Sequence, residues 1–161
     1  MRKLFLITAL SFIFFTIEFL WVNLLGNWLK PNLLLLLIIF FNLSLGIRYG
    51  LAAAFLAGLL EDSFGASVFG IHILSFIVCA FMMVAVRRYL FHTSVYSLRI
   101  FLAFLMSLLN ALVVFGLNFI FLPLDFKEAF YFVMFPEVLA TTLVAGFTFR
   151  HLRTCVLKFS A

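Results

Sequence analysis

Few residues in this chain could do chemistry, and most of those stand inside apolar runs. Glu18 and Glu137 are carboxylates embedded in hydrophobic sequence. Two such groups can work as general acid and general base if the fold brings them together. Asp62 and His72 flank a glycine-containing stretch, and Asn118 lies within another apolar run. A lone histidine in such a place is either hydrogen-bonded packing or a ligand. There is no HExxH, no paired cysteine and no glycine-rich phosphate loop, and no Ser–His–acid set has a supporting context. Cys79 lies in an apolar run and Cys155 in a basic tail, with nothing to pair them, so neither a disulfide nor a metal site is expected. The chain reads as a non-enzyme, with no catalytic residue, no metal and no cofactor.

Composition sets the elements that must carry these residues. The 161 residues are 67% hydrophobic and 11% charged, with a mean hydropathy of +1.30. A soluble domain has about 45–50% apolar and about 25% charged residues. A chain this short has no interior large enough to hide that surface from water. The expected fold is all-α and polytopic, one integral-membrane domain over residues 1–161 with no soluble module. The net charge of +5 comes from basic residues placed singly or in pairs at the ends of apolar runs. That placement speaks of topology and not of nucleic acid.

The expected spans are 4–22, 33–45, 49–60, 68–86, 100–122 and 130–149. Met1–Arg2–Lys3 before an apolar run resembles a signal peptide, but no small-residue cleavage site follows, so the first span is expected to be retained. Trp21 and Trp28 suit a membrane interface. Pro31 is expected as the first residue of a helix. Residues 33–45 and 49–60 are each shorter than the ~17–25 residues of an ordinary span. Read as one helix, 33–60 would bury Arg48 in the bilayer. Read as a hairpin turning near Gly46, the two limbs leave Arg48 at an aqueous edge.

Charge counting favours the hairpin. Of the 11 Lys and Arg residues, six spans leave only Lys30 and Lys127 outside. Five spans put Arg2, Lys3 and Lys127 outside and strand Arg48 in the bilayer, which obeys the positive-inside rule less well. Both termini are therefore expected in the cytoplasm. Pro136–Glu137 is expected to interrupt and kink the sixth span, and the tail 150–161 to lie on the inner face near anionic lipid.

Two groupings follow. Gly50, Ala54 and Gly58 recur every four residues and share one helix face. Small residues there let helix backbones approach closely, either within the chain or as a partner-binding seam. In the six-span arrangement Glu18, Asn23, Asp62, His72, Asn118 and Glu137 all fall in the outer half of the membrane. They either line a polar recess open to the outside or are separately satisfied groups.

The stretch 31–88 resembles the rod shape-determining protein MreD family of bacteria. The residues that carry the resemblance are Pro31–Asn32–Leu33 before a leucine-rich run, then Arg48–Tyr49–Gly50, then Gly58–Leu59–Leu60–Glu61–Asp62. Phe64–Gly65 with Gly70, and Arg87–Arg88, complete it. Asn32 stands where the family often has an aspartate. The resemblance implies a non-enzymatic component of the cell-elongation machinery in the bacterial cytoplasmic membrane. It implies MreC as direct partner, with MreB, RodA and PBP2 reached through that complex, membrane lipid around it, and no soluble substrate. It also implies a fold like the six-helix substrate-binding subunit of energy-coupling-factor transporters. That fold leaves a second reading open, a transporter subunit that captures a vitamin or similar solute in the outer recess. Ala52–Ala53–Ala54 is a faint echo of the alanine motif such subunits use for coupling.

Overall fold

The computed structural model describes residues 2–26, 30–65, 68–90, 96–121 and 135–160. These residues form six helices: α1 (Arg2–Leu25), α2 (Leu33–Ser44), α3 (Ile47–Phe64), α4 (Ile71–Leu90), α5 (Tyr96–Phe121) and α6 (Phe135–Ser160). Among the described residues there is no strand. Leu4–Leu24 and Leu98–Phe121 are long and apolar enough to cross a membrane, whereas Leu33–Ser44 and Ile71–Val86 are apolar but shorter.

The bundle is built around α2. Every residue from Leu33 to Asn42 is buried, and α2 packs against α1, α3, α4, α5 and α6. This explains why its sequence is hydrophobic all round and shows no polar face. A helix enclosed by protein need not match the bilayer, so its 12 residues, about 18 Å at ~1.5 Å per residue, suffice. Around it, α3 lies against α4 and α1, and α5 lies between α4 and α6.

The outer surface is apolar. Phe5, Phe12 and Leu24 on α1, Leu74 and Phe81 on α4, Phe101 and Phe119 on α5, and Leu143 and Phe147 on α6 are all exposed. An exterior of this kind suits lipid and not water.

Chain breaks sit where the backbone dictates. Leu45 and Gly46 both donate their N–H groups to the Phe41 carbonyl and close the last turn of α2. Gly46 has φ +96°, in the left-handed region where glycine pays no Cβ penalty. The chain then restarts as α3 at Ile47, with Arg48 exposed in its first turn. The break at Leu45–Gly46 excludes a single helix over residues 33–60.

Several expected boundaries shift. Asn32, and not Pro31, opens α2: its Oδ1 accepts the Leu35 N–H at 2.8 Å, so Pro31 stands just before the cap. Glu61 and Asp62 belong to the last turn of α3, which runs on to Phe64, past the expected end of that span at residue 60. α4 begins at Ile71 after the Val68–Gly70 turn, later than expected, and α5 begins at Tyr96, earlier than expected. α6 continues through the basic tail to Ser160. Its described part starts at Phe135, so Pro136 stands in the first turn, where the missing N–H costs nothing. Residues 122–134, which include Lys127 and the expected start of the sixth span, and Trp28 lie outside the described residues.

Candidate functional site

A buried polar cluster occupies one end of the bundle. The C-terminal parts of α1 and α3 meet the N-terminal ends of α2, α4 and α6 there, and each element supplies a group. The segment before α2 contributes Lys30 and Asn32.

Lys30 is the hub. Its Nζ lies 3.0 Å from Glu18 Oε1 on α1 and donates to Glu61 Oε1 on α3 at 2.7 Å. Both carboxylates are buried. Burial alone would pull the Lys30 ammonium down, but the charges of Glu61 and Glu18 outweigh it and hold it well above the usual lysine range. Lys30 is thus a fixed positive charge joining two helices.

Asp62, one residue on from Glu61, works on α4. Its Oδ2 accepts the Gly70 and Ile73 N–H groups at 3.0 Å each. Its Oδ1 accepts the His72 N–H at 3.1 Å and lies 2.9 Å from His72 Nδ1. These backbone donors are the ones a helix leaves unpaired at its start, and a carboxylate there also faces the positive end of the helix dipole. Asp62 is therefore an N-terminal cap supplied to α4 from α3. The other ring nitrogen of His72, Nε2, lies 4.0 Å from Glu61 Oε1.

Asn32 ties α2 to α6. Besides capping α2, its Nδ2 donates to Glu137 Oε1 at 3.2 Å. Its backbone N–H donates to Thr141 Oγ1 at 2.9 Å, and Thr141 donates to the Glu137 carbonyl at 2.7 Å.

Of the sequence-expected recess residues, Glu18, Asp62, His72 and Glu137 take part in these contacts. Asn23 and Asn118 do not. Asn23 is exposed and donates to the Phe19 carbonyl of its own helix. Asn118 Oδ1 is buried without a hydrogen-bond partner among the described residues. Glu18 and Glu137 are engaged by different partners, Lys30 and Asn32. Lys30, Glu61 and Thr141 were not legible as members. Lys30 and Glu61 read as rim charges, and only their closeness to Pro31–Asn32 and Asp62 could have hinted at more. Among the described residues, no group of three or more His, Cys, Asp or Glu side chains could hold a metal ion.

The small-residue face lies beneath this cluster, inside the chain. A Cβ on Gly50 would come 2.7 Å from Asn42 Cγ. Asn42 in turn donates to the Ala80 carbonyl of α4 at 2.9 Å. Ala53, Ala54 and Ala57 are fully buried, and Gly58 meets the α4 backbone. Gly50, Ala54 and Gly58 thus set the spacing of α2, α3 and α4. Gly65 caps the C-terminus of α3, its N–H donating to the Glu61 carbonyl at 2.8 Å.

The family model of the rod shape-determining protein MreD matches residues 2–154. Searches of curated proteins and of solved structures gave no significant match.

Proposed function

Because the chain belongs to the MreD rod-shape family, we propose that it is a non-enzymatic scaffold of the bacterial cell-elongation complex. It partners MreC, a single-span protein with an extracytoplasmic domain, and through it connects MreB with the peptidoglycan synthases RodA and PBP2. The observation that carries this reading is the family match across nearly the whole chain. The chain sits in the cytoplasmic membrane as six spans in an arrangement like that of energy-coupling-factor substrate-binding subunits. Both termini face the cytoplasm, and the Lys30 cluster faces outward.

The structure supports binding over solute capture. Lys30 fills the middle of the polar cluster and is itself held by Glu18 and Glu61. With Gly50, Ala54 and Gly58 engaged inside the chain, the surface left for a partner is the lipid-facing exterior of the outer helices. Depletion in a rod-shaped host should turn rods into spheres, and pull-down of the tagged chain from membranes should recover MreC. Normal shape after complete loss, with no MreC in the eluate, overturns the proposal. Tight binding of a vitamin-like solute by the purified chain would favour a transporter subunit instead.

A further inference from the structure

Charge is divided between the two ends of the bundle. Glu18, Glu61, Asp62 and Glu137 belong to the cluster around Lys30. The other acidic residues, Asp125 and Glu128, follow Phe121 by four and seven residues, and Phe121 ends α5 at the cluster's side. Seven residues reach at most about 25 Å, whereas Arg99 lies about 33 Å of helix from Phe121 at ~1.5 Å per residue. Every arginine of the chain stands toward the opposite end, together with Lys3 and Lys158. No acidic residue reaches them there.

Packing registers bring arginines of several helices to one level. α3 and α4 run antiparallel with Gly58 against Ile73. Arg48, ten residues before Gly58, is therefore level with Met83, ten after Ile73. α4 and α5 run antiparallel as well: Ser75 donates to Asn110 Oδ1 at 2.6 Å, and Cys79 Sγ lies 3.8 Å from the Met106 carbonyl. That register sets Arg99 level with Val86, directly before Arg87–Arg88. Ala111 on α5 packs with Val138 on α6, and twelve residues further from them Arg99 and Arg150 stand level. Arg48, Arg99 and Arg150 thus fall within about one helical turn of each other in height. Arg48 and Arg150 are exposed, and Arg99 is partly so.

The fold itself works against this belt. α1, α3 and α5 all begin at this end with basic residues and with no acidic residue in the first turn. The positive pole of each helix dipole lies there and repels them, so the compensating negative charge must come from outside the chain. Guanidinium groups grip phosphate oxygens through paired N–H donors, where an ammonium offers only a point charge. A level belt on apolar helices matches a leaflet of phosphates, whereas a protein segment would have to circle the bundle to meet it. We propose that Arg48, Arg99 and Arg150 form a belt that binds the phosphate headgroups of anionic phospholipid. The inference rests on the membrane-embedded reading above and not on the partnership with MreC.

Native mass spectrometry of the full chain in detergent, titrated with phosphatidylglycerol, phosphatidylcholine or inorganic phosphate, tests this. Phosphatidylglycerol should bind at least about tenfold more tightly than phosphatidylcholine, and inorganic phosphate should not displace it. Arg48→Gln, Arg99→Gln and Arg150→Gln combined should weaken phosphatidylglycerol about fivefold per arginine and leave phosphatidylcholine unchanged. Lys3→Gln, Arg153→Gln and Lys158→Gln combined remove the same charge and should keep most of the preference. If the first triple variant does not fold, the exposed single variants Arg48→Gln and Arg150→Gln should each weaken phosphatidylglycerol. The proposal is overturned if the native chain binds both lipids alike or if the two triple variants lose the preference equally. Native binding by both single variants, or displacement by inorganic phosphate, overturns it too. Recovery of MreC is read separately: MreC retained with no lipid preference sinks this proposal alone, and the reverse sinks only the partnership.

Discussion

Gly58 on α3 lies against the backbone of Ile73 on α4. A Cβ added to Gly58 would stand 2.5 Å from Ile73 Cα and 2.8 Å from its nitrogen. Backbone cannot swing aside as a side chain can, so the helices themselves must separate. Gly58→Ala should therefore destabilise the detergent-solubilised protein by about 1–3 kcal/mol, the usual cost of overpacking. Gly116→Ala is the control. Nothing lies within 4 Å of a Cβ there, and alanine is the better helix former by ~1 kcal/mol. Thermal unfolding of the two variants should move in opposite directions. Equal losses would mean that the α3–α4 approach is not tight.

Separating α3 from α4 would also disturb Asp62, which holds four groups at the start of α4. Asp62→Ala removes the acceptor for the Gly70, His72 and Ile73 N–H groups together. Losing a cap costs about 0.5–2 kcal/mol, and stranding buried donors adds about 1–3 kcal/mol. Asp62→Asn keeps one acceptor oxygen and should fall between alanine and the native residue. Hydrogen exchange at the first turn of α4 should rise in the order native, asparagine, alanine. No change there would show that other groups cap this helix.

These two sites differ in how far sequence could reveal them. Four-residue spacing put Gly50, Ala54 and Gly58 on one face, because helix geometry alone decides that. It could not say that the face meets Asn42 and Ile73 instead of a partner, since partners are set by tertiary packing. The break at Gly46 was legible through Arg48, whose charge excludes a long buried helix. The enclosure of α2 was not, because an unbroken apolar run reads alike in lipid and in a core. Glu18 and Glu137 stood out as carboxylates in apolar runs. Lys30 and Glu61 did not, because a charge at a helix end is ordinary until the fold buries it.

Lys30 is the charge whose removal should matter most. Lys30→Met leaves Glu18 and Glu61 buried without their shared cation. Breaking a buried ion pair costs about 3–5 kcal/mol. The loss should lie at the lower end, because the Lys30 side chain is 32% exposed and partly screened. The ammonium is held above its ordinary value. Its contribution is therefore complete below the unfolded lysine pKa of about 10.4 and is lost only as pH rises past the folded value. Lys30 stays charged throughout the range below that value, so the loss in Lys30→Met should still be present at about pH 9. Adding Glu18→Gln to Lys30→Met should recover part of the loss. A double variant no more stable than the single one would show that Glu18 and Lys30 do not act as a pair.

Asn32 offers the sharpest test of the link between α2 and α6. Its Oδ1 caps α2 by accepting from Leu35, and its Nδ2 donates to Glu137 Oε1. Asn32→Asp keeps the first contact and reverses the second. A carboxylate oxygen would then face the Glu137 oxygen across about the present 3.2 Å. Two like charges at that distance in a buried site are strongly repulsive. Asn32→Asp should therefore be less stable than native at neutral pH and should recover as pH falls and one of the two carboxyls takes up a proton. Asn32→Ala loses both contacts and should be unstable at every pH, by about 0.5–2 kcal/mol for the cap alone. Asn32→Asp combined with Glu137→Gln restores a donor opposite the new carboxylate, and should return stability towards native without acid. If thermal unfolding of Asn32→Asp is native-like at neutral pH, the Asn32–Glu137 contact does not hold α6 to α2.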